Sequence, residues 1–170
     1  MLFPAILVLE DGSVMEGIGF GSKQQSVGEI VFNTSMSGYQ EIITDPSYAK
    51  QIIAFTHPHI GNTGINNEDN ESDNIFASAI VIKDLPKNYS NWRANQSLES
   101  FLLSKNTIGI SNIDTRALTA KLREHGSLKA CIAPGGKESL SEANDALNQF
   151  SGLEGLDLAK EVSTKNSFSC

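Results

Sequence analysis

Short apolar runs of strand length, punctuated by Gly, Pro, Asp and Asn, fill the first half of the chain; helix-spaced apolar positions join them only in the second. Residues 5–9, A-I-L-V-L, form the first clear run. The Glu10-Asp11-Gly12-Ser13 break after it contains the Asp-Gly pair that suits a tight hairpin, so residues 14–20 are predicted as the returning strand. Gly17 and Gly19 within that strand mark a bulge or a close approach of another backbone. Further strands are predicted over 28–32, 51–56, 75–82, 107–110 and 128–133. Residues 57–74 are polar, with an acidic and amide-rich second half, and read as a solvated loop.

Leu98, Phe101 and Leu102, spaced i, i+3 and i+4, predict a helix over 97–104. Asp114 opens the clearest helix. Ile113, Ala117, Leu118 and Leu122 share one side of it, and Gly126 is its expected stop. Ser139-x-x-Glu142 has the form of a capping box, with Leu140, Ala143, Leu147 and Phe150 repeating on one face up to Gly152. Ser37-x-x-Gln40 is a weaker box and predicts a short helix near 37–43. Asp45-Pro46-Ser47 is turn chemistry. Strands mixed with helices argue an α/β or α+β domain. Residues 153–170 lose this periodicity and read as the start of a linker, leaving 1–152 as the domain.

Composition narrows the function classes. A chain of 170 residues suggests one domain large enough to bury a core without staples. Twenty acidic against 13 basic residues, a formal net charge of −7, set it against general nucleic-acid binding. No run approaches the roughly 20 apolar residues needed to span a bilayer, and the N-terminus lacks the pattern of an export signal. Cys131 lies in the apolar run L-K-A-C-I-A and Cys170 is the last residue, a poor disulfide pair, so a reducing, cytoplasmic compartment is expected.

Several groups invite a chemical reading. His57-Pro58-His59 follows an apolar strand, and alternate residues of an extended segment share a side, as two metal ligands must. A catalytic zinc needs three protein ligands, and the remaining histidine, His125, sits at a helix end, so a Pro-stiffened loop accounts for the pair as well. Gly17-Ile18-Gly19-Phe20-Gly21 resembles a phosphate loop but lacks the Gly-Lys-Ser/Thr ending and a following helix. Cys131 sits mid-strand without the sharp turn a nucleophile elbow requires. Asp114 with Arg116 and Arg123 could form an anion site, yet a capping acid and solvated helix charges explain them. Ser47, held in a stiff Asp-Pro turn, reads on pattern alone as a local hydrogen-bonding residue.

Longer motifs go further. The segments L-V-L-E-D-G at 7–12, G-E-I-V-F-N-T-S-M-S-G-Y-Q-E-I-I-T-D-P-S-Y at 28–48 and H-P-H-I-G-N-T-G at 57–64 cover the first part of the chain. V-I-K-D-L-P at 81–86, I-D-T-R-A-L-T at 113–119, L-R-E-H-G at 122–126 and G-L-D-L-A-K-E-V at 155–162 follow. In order and spacing, these segments resemble the N-terminal domain of the small, glutamine-hydrolysing subunit of carbamoyl-phosphate synthetase.

The resemblance implies an α/β fold, a three-layer β/β/α domain of mixed strands with about three helices. It implies a glutamine amidotransferase subunit that releases ammonia and works in a heterodimer with a large, ATP-using synthetase subunit, whose product feeds arginine and pyrimidine synthesis. The domain is expected to dock on that large subunit and to border the glutaminase site, with segment 33–47 facing it and the 57–66 loop as a second functional edge. Ser47, in T-D-P-S-Y, is implied to contribute to glutamine binding. Neither cysteine matches the family's G-x-C-x-G nucleophile, so no catalytic residue is expected within these residues. The amide-cleaving groups belong to the subunit's own C-terminal glutaminase domain, and ATP and metal to the large subunit. Neither cofactor nor metal is expected in this chain, nor nucleic-acid or membrane partners. Two other readings stay open: a metal-dependent hydrolase using His57 and His59, and a free-standing, non-catalytic scaffold domain.

Overall fold

Strand β1 (Phe3–Leu9) is buried at every position but Pro4, whereas β2 (Val14–Gly21) alternates outward and inward along its first half. A strand buried on both faces needs cover on both sides, and that requirement organises the molecule. The computed structural model describes residues 1–58, 60–62, 64–66, 70, 74–87 and 95–151. Among them β1 and β2 are followed by β3 (Ser26–Asn33), α1 (Tyr39–Ile43), β4 (Gln51–Phe55) and β5 (Ala79–Val81). Then come α2 (Leu98–Ser104), β6 (Ile108–Ser111), α3 (Thr115–His125), β7 (Leu128–Pro134) and α4 (Leu140–Gln149).

The strands close into a barrel in the order β1-β2-β6-β5-β4-β3-β7. β3, β4, β5 and β6 run parallel to one another, while β2, β1 and β7 join them by antiparallel pairings. Between the two halves lies an inner cluster that includes Leu7, Ile30, Ile52, Val81, Ile110 and Ile132. α3 sends Leu118 and Leu122 into this cluster. Outside the parallel half, Ile53, Phe55 and Ile80 pack beneath Tyr39 and Ile43 of α1 and Leu98, Phe101 and Leu102 of α2. Outside the antiparallel half, Ile6, Val8, Cys131 and Ala133 pack beneath Ala143 and Leu147 of α4.

The class is therefore α/β, as expected. The layering differs from a simple β/β/α stack, because the two sheets join at both edges and helices cover both outer faces. There are four α-helices among the described residues rather than about three, with two further 3-10 turns at Pro46–Tyr48 and Lys137–Ser139.

Most predicted elements lie where the pattern put them, and the hairpin turns at Asp11-Gly12. There Asp11 Oδ1 accepts from Ser13 N at 2.9 Å, and Lys121 Nζ of α3 donates to Asp11 Oδ2 at 2.8 Å. The hydrogen bond to Lys121, followed by that from Ser13, lowers the Asp11 carboxyl to about 2. Ser97 and Asp114 cap α2 and α3, accepting from Ser100 N and Ala117 N.

Other predictions are corrected. The strand expected over 75–82 shortens to Ala79–Val81. Ser37 does not cap α1, whose N-cap is Gly38, and Ser139 spends its hydroxyl on Pro134 O (2.7 Å) instead of capping α4. Phe150 is the C-cap of α4 and not part of its face; Gly152 lies outside the described residues. The first part of the 57–74 loop is not solvated: Ile60 and Ile65 are 2% and 1% exposed and belong to the outer cluster. The Gly17–Gly21 segment is β-strand, and close approach is the reason for its glycines. A Cβ on Gly19 would sit 2.6 Å from Cδ2 of Phe3, its cross-strand partner.

Candidate functional site

The segment from Asn33 to Tyr48 connects two adjacent parallel strands and is fastened along its length. Asn33 Oδ1 accepts from Ser35 N at 2.8 Å, and Asn33 Nδ2 donates to Tyr48 Oη at 3.1 Å. Tyr39, buried, donates through its hydroxyl to Gly64 O at 2.7 Å. Gln40, also buried, accepts from Asn66 N at 3.1 Å through Oε1, while its Nε2 donates to Asn66 O and, at 2.7 Å, to Asn70 Oδ1. Thr44 Oγ1 returns to Gln40 O at 2.8 Å. The buried side of this crossover is thereby tied to Gly64, Asn66 and Asn70, and its tip, residues 34–37, stands in solvent with Met36 77% exposed.

Ser47 sits in the middle of the Pro46–Tyr48 turn. Asp45 Oδ1 accepts from Ser47 N at 2.9 Å, and Tyr48 N and Ala49 N close the turn on Asp45 O and Pro46 O, both at 3.1 Å. The turn thus uses the Ser47 backbone. Its side chain is exposed, and the hydroxyl makes no hydrogen bond among the described residues. The structure places this residue as a rigid, outward-facing donor and acceptor, and does not group it with any other predicted site residue.

A second feature involves Asp114, Arg116 and Arg123, which the sequence explained as a capping acid and solvated helix charges. A cleft of about 820 Å³ opens where the parallel strands end: Thr34 follows β3, Thr56 follows β4, Lys83 lies just past β5, and Asn112 follows β6. α3 forms its other wall with Thr115, Arg116, Thr119 and Arg123. In open parallel α/β sheets this is where ligands bind, because the loops there diverge and leave a crevice. Arg123 also lies over the Phe32 ring, 5.4 Å from its centroid. Ser47 is not among the residues lining the cleft. The lining residues are scattered through the sequence, and only Asp114, Arg116 and Arg123 gave any local signal.

His57 is half-buried just past the end of β4, and His59 lies outside the described residues, as does the expectation placed on the pair. Among the described residues no group of three or more His, Cys, Asp or Glu is placed to hold a metal ion. Cys131 is fully buried under α4, and burial pushes its thiol up to about 12. A thiol this far from ionisation is a packing group, since the thiolate is the nucleophile. Under native conditions at neutral pH, Cys131 is therefore expected to resist iodoacetamide, and to react at the rate of an open thiol once the chain is unfolded. Peptide mapping by mass spectrometry checks this; rapid native labelling at Cys131 would overturn its burial. No helix among the described residues is long and apolar enough to cross a membrane.

Fold and site together define an α/β barrel domain with a polar cleft at the carboxyl ends of its parallel strands and a rigid, serine-bearing crossover beside them. A family model described as carbamoyl-phosphate synthase small chain, CPSase domain, matches residues 7–132. The chain belongs to this family. It is 54% identical over 164 residues to the carbamoyl phosphate synthase small chain of Vibrio parahaemolyticus, a match covering 96% of this chain and 43% of that one. It is 53% identical over 168 residues to that of Pseudomonas syringae, covering 99% and 44%. The chain thus spans less than half the length of these curated relatives. A solved M28 peptidase precursor from Shewanella amazonensis aligns with a TM-score of 0.43 at 12% identity over 79% of this chain and 35% of that one, too slight a likeness to carry an argument.

Proposed function

We propose that residues 1–152 form the N-terminal domain of the glutamine amidotransferase subunit of a carbamoyl-phosphate synthetase, with 153–170 as the start of a linker to a glutaminase domain. The domain docks on a large, ATP-using synthetase subunit and borders the site where glutamine gives up its ammonia. Ser47 contributes a hydrogen bond to glutamine there. The amide-cleaving groups belong to the part of the relatives that this chain does not match; ATP and its metal belong to the large subunit.

The observation that carries the Ser47 assignment is local. Its backbone is locked by Asp45 and Pro46 while its side chain is exposed and its hydroxyl unbonded among the described residues, which is the arrangement a preorganised contact requires. The family match carries the rest. Burial of Cys131 supports a non-catalytic role, because the one described thiol is withheld from chemistry.

Ser47→Ala in the full-length subunit is expected to raise the glutamine KM by about tenfold, the loss of roughly one buried hydrogen bond, with folding unchanged because the turn is built from Asp45 and backbone. Steady-state glutaminase kinetics checks it. An unaltered KM would remove Ser47 from the glutamine site while leaving the family assignment intact.

A further inference from the structure

The cleft at the mouth of the barrel has the makings of a binding site that Ser47 does not share. Asp114 caps α3 by accepting from Ala117 N at 3.0 Å, which leaves the N–H groups of Thr115 and Arg116 without an acceptor among the described residues. An 11-residue helix presents a partial positive charge at such an end.

A second, independent observation concerns Thr115. It is 3% exposed, it lines the cleft, and its hydroxyl makes no hydrogen bond among the described residues. Among the described residues no fully enclosed side-chain polar atom lacks a partner, so this hydroxyl keeps a small solvent-accessible surface on a residue that lines the cleft. Buried hydroxyls are nearly always satisfied, and one left open toward a cleft is a donor awaiting an acceptor.

Charge agrees. Lys83, Arg116 and Arg123 line the cleft against Asp84 and Asp114, a local cationic excess in a chain of net charge −7. Lys83 and Arg116 form no ion pair among the described residues. The helix-end N–H groups and the guanidinium can only donate, and the hydroxyl can donate with them.

We propose that this cleft is an oxyanion site. It takes a carboxylate or phosphate group onto the first turn of α3, with Thr115 Oγ1, the Thr115 and Arg116 N–H groups and the Arg116 guanidinium as donors, and Lys83 supplying long-range attraction. It stands independently of the glutamine reading of Ser47.

The test is titration of the 170-residue chain with inorganic phosphate and, separately, with acetate, at ionic strength held constant with chloride so that simple screening cannot mimic binding. Backbone amide resonances are followed by NMR. Saturable shifts centred on Thr115 and Arg116 are expected with at least one of the two anions, and the tighter one names the group. Arg116→Gln, an exposed position, should weaken that binding about tenfold, the loss of a charge-assisted hydrogen bond. Asp114→Asn keeps a competent cap but removes a competing carboxylate, so it should tighten binding. The proposal is overturned if neither anion gives saturable shifts at Thr115 and Arg116, or if Arg116→Gln and Asp114→Asn both leave the affinity where it was.

Discussion

Gly109→Ala is expected to destabilise the domain by about 2–3 kcal/mol, lowering Tm by roughly 5–10 °C. The sign is the informative part. In an ordinary strand the same change would stabilise, because alanine has less backbone freedom to lose than glycine. Gly109 lies on β6 directly opposite Phe20 of β2, and the Phe20 ring lies flat across it. A Cβ added there would come within 2.8 Å of three ring carbons. Phe20 has no accessible surface and packs with Phe101 and Leu102 of α2, so the ring cannot swing aside without disturbing the helix layer. If the clash is the cause, shrinking the ring relieves it. Phe20→Leu alone should cost stability, yet the double variant should be more stable than the two losses added together, by at least ~1 kcal/mol in a double-mutant cycle followed by urea unfolding. Strict additivity would show that Gly109 matters for some other reason.

The same pair shows what kind of information lies outside a local reading. Val14 to Phe20 and Thr107 to Ile110 are each legible as strands from composition. Nothing in either segment says that Phe20 must meet Gly109, a contact between residues far apart in the chain. Caps behave alike. Asp114 was legible because its side chain bonds only to its own helix, whereas Ser97, read as the first helical residue, is the cap of α2. The boxes at Ser37 and Ser139 failed because other partners outbid the helix ends: Gln40 reaches the distant Asn66 and Asn70, and Ser139 turns back to Pro134 O in the preceding turn. The helix layer over the antiparallel half was foreshadowed by the unbroken apolar runs of β1 and β7, which signal cover on both faces.

The candidate sites divide along the same line. The motif around Ser47 is contiguous, so it could be found from sequence, and the structure adds that its hydroxyl makes no hydrogen bond among the described residues. The cleft is assembled from residues near 34, 56, 83 and 112–123, each of which reads as an ordinary loop or helix surface. Only the parallel order of β3 to β6 brings them to one rim. Burial of Ile60 and Ile65 was hidden for a related reason: two apolar residues in a long polar stretch carry no period.

Gln40→Met should be the second large effect, about 2–4 kcal/mol, although methionine matches glutamine closely in size and helix preference. Gln40 is 5% exposed and its amide acts as a two-sided clamp, accepting from Asn66 N and donating to Asn66 O, so it adds one rung of pairing next to the bridge that Ile65 makes with Gln96. Asn66 is equally buried, and a thioether returns neither bond to its backbone N–H and C=O. Removing one partner of a buried polar pair costs the desolvation of what remains, which is larger than the net value of the bond itself. The loss should also be directional. Hydrogen exchange should accelerate at Gly64 to Asn66 and through α1 while β1, β7 and α4, on the opposite side of the barrel, hold their protection until global unfolding. Gln40 fastens the crossover that carries Ser47, so in the full-length subunit the glutamine KM should rise alongside. A Gln40→Met variant within about 0.5 kcal/mol of the parent, with unchanged exchange at Asn66, would mean that the crossover is held by Tyr39 and its apolar neighbours alone.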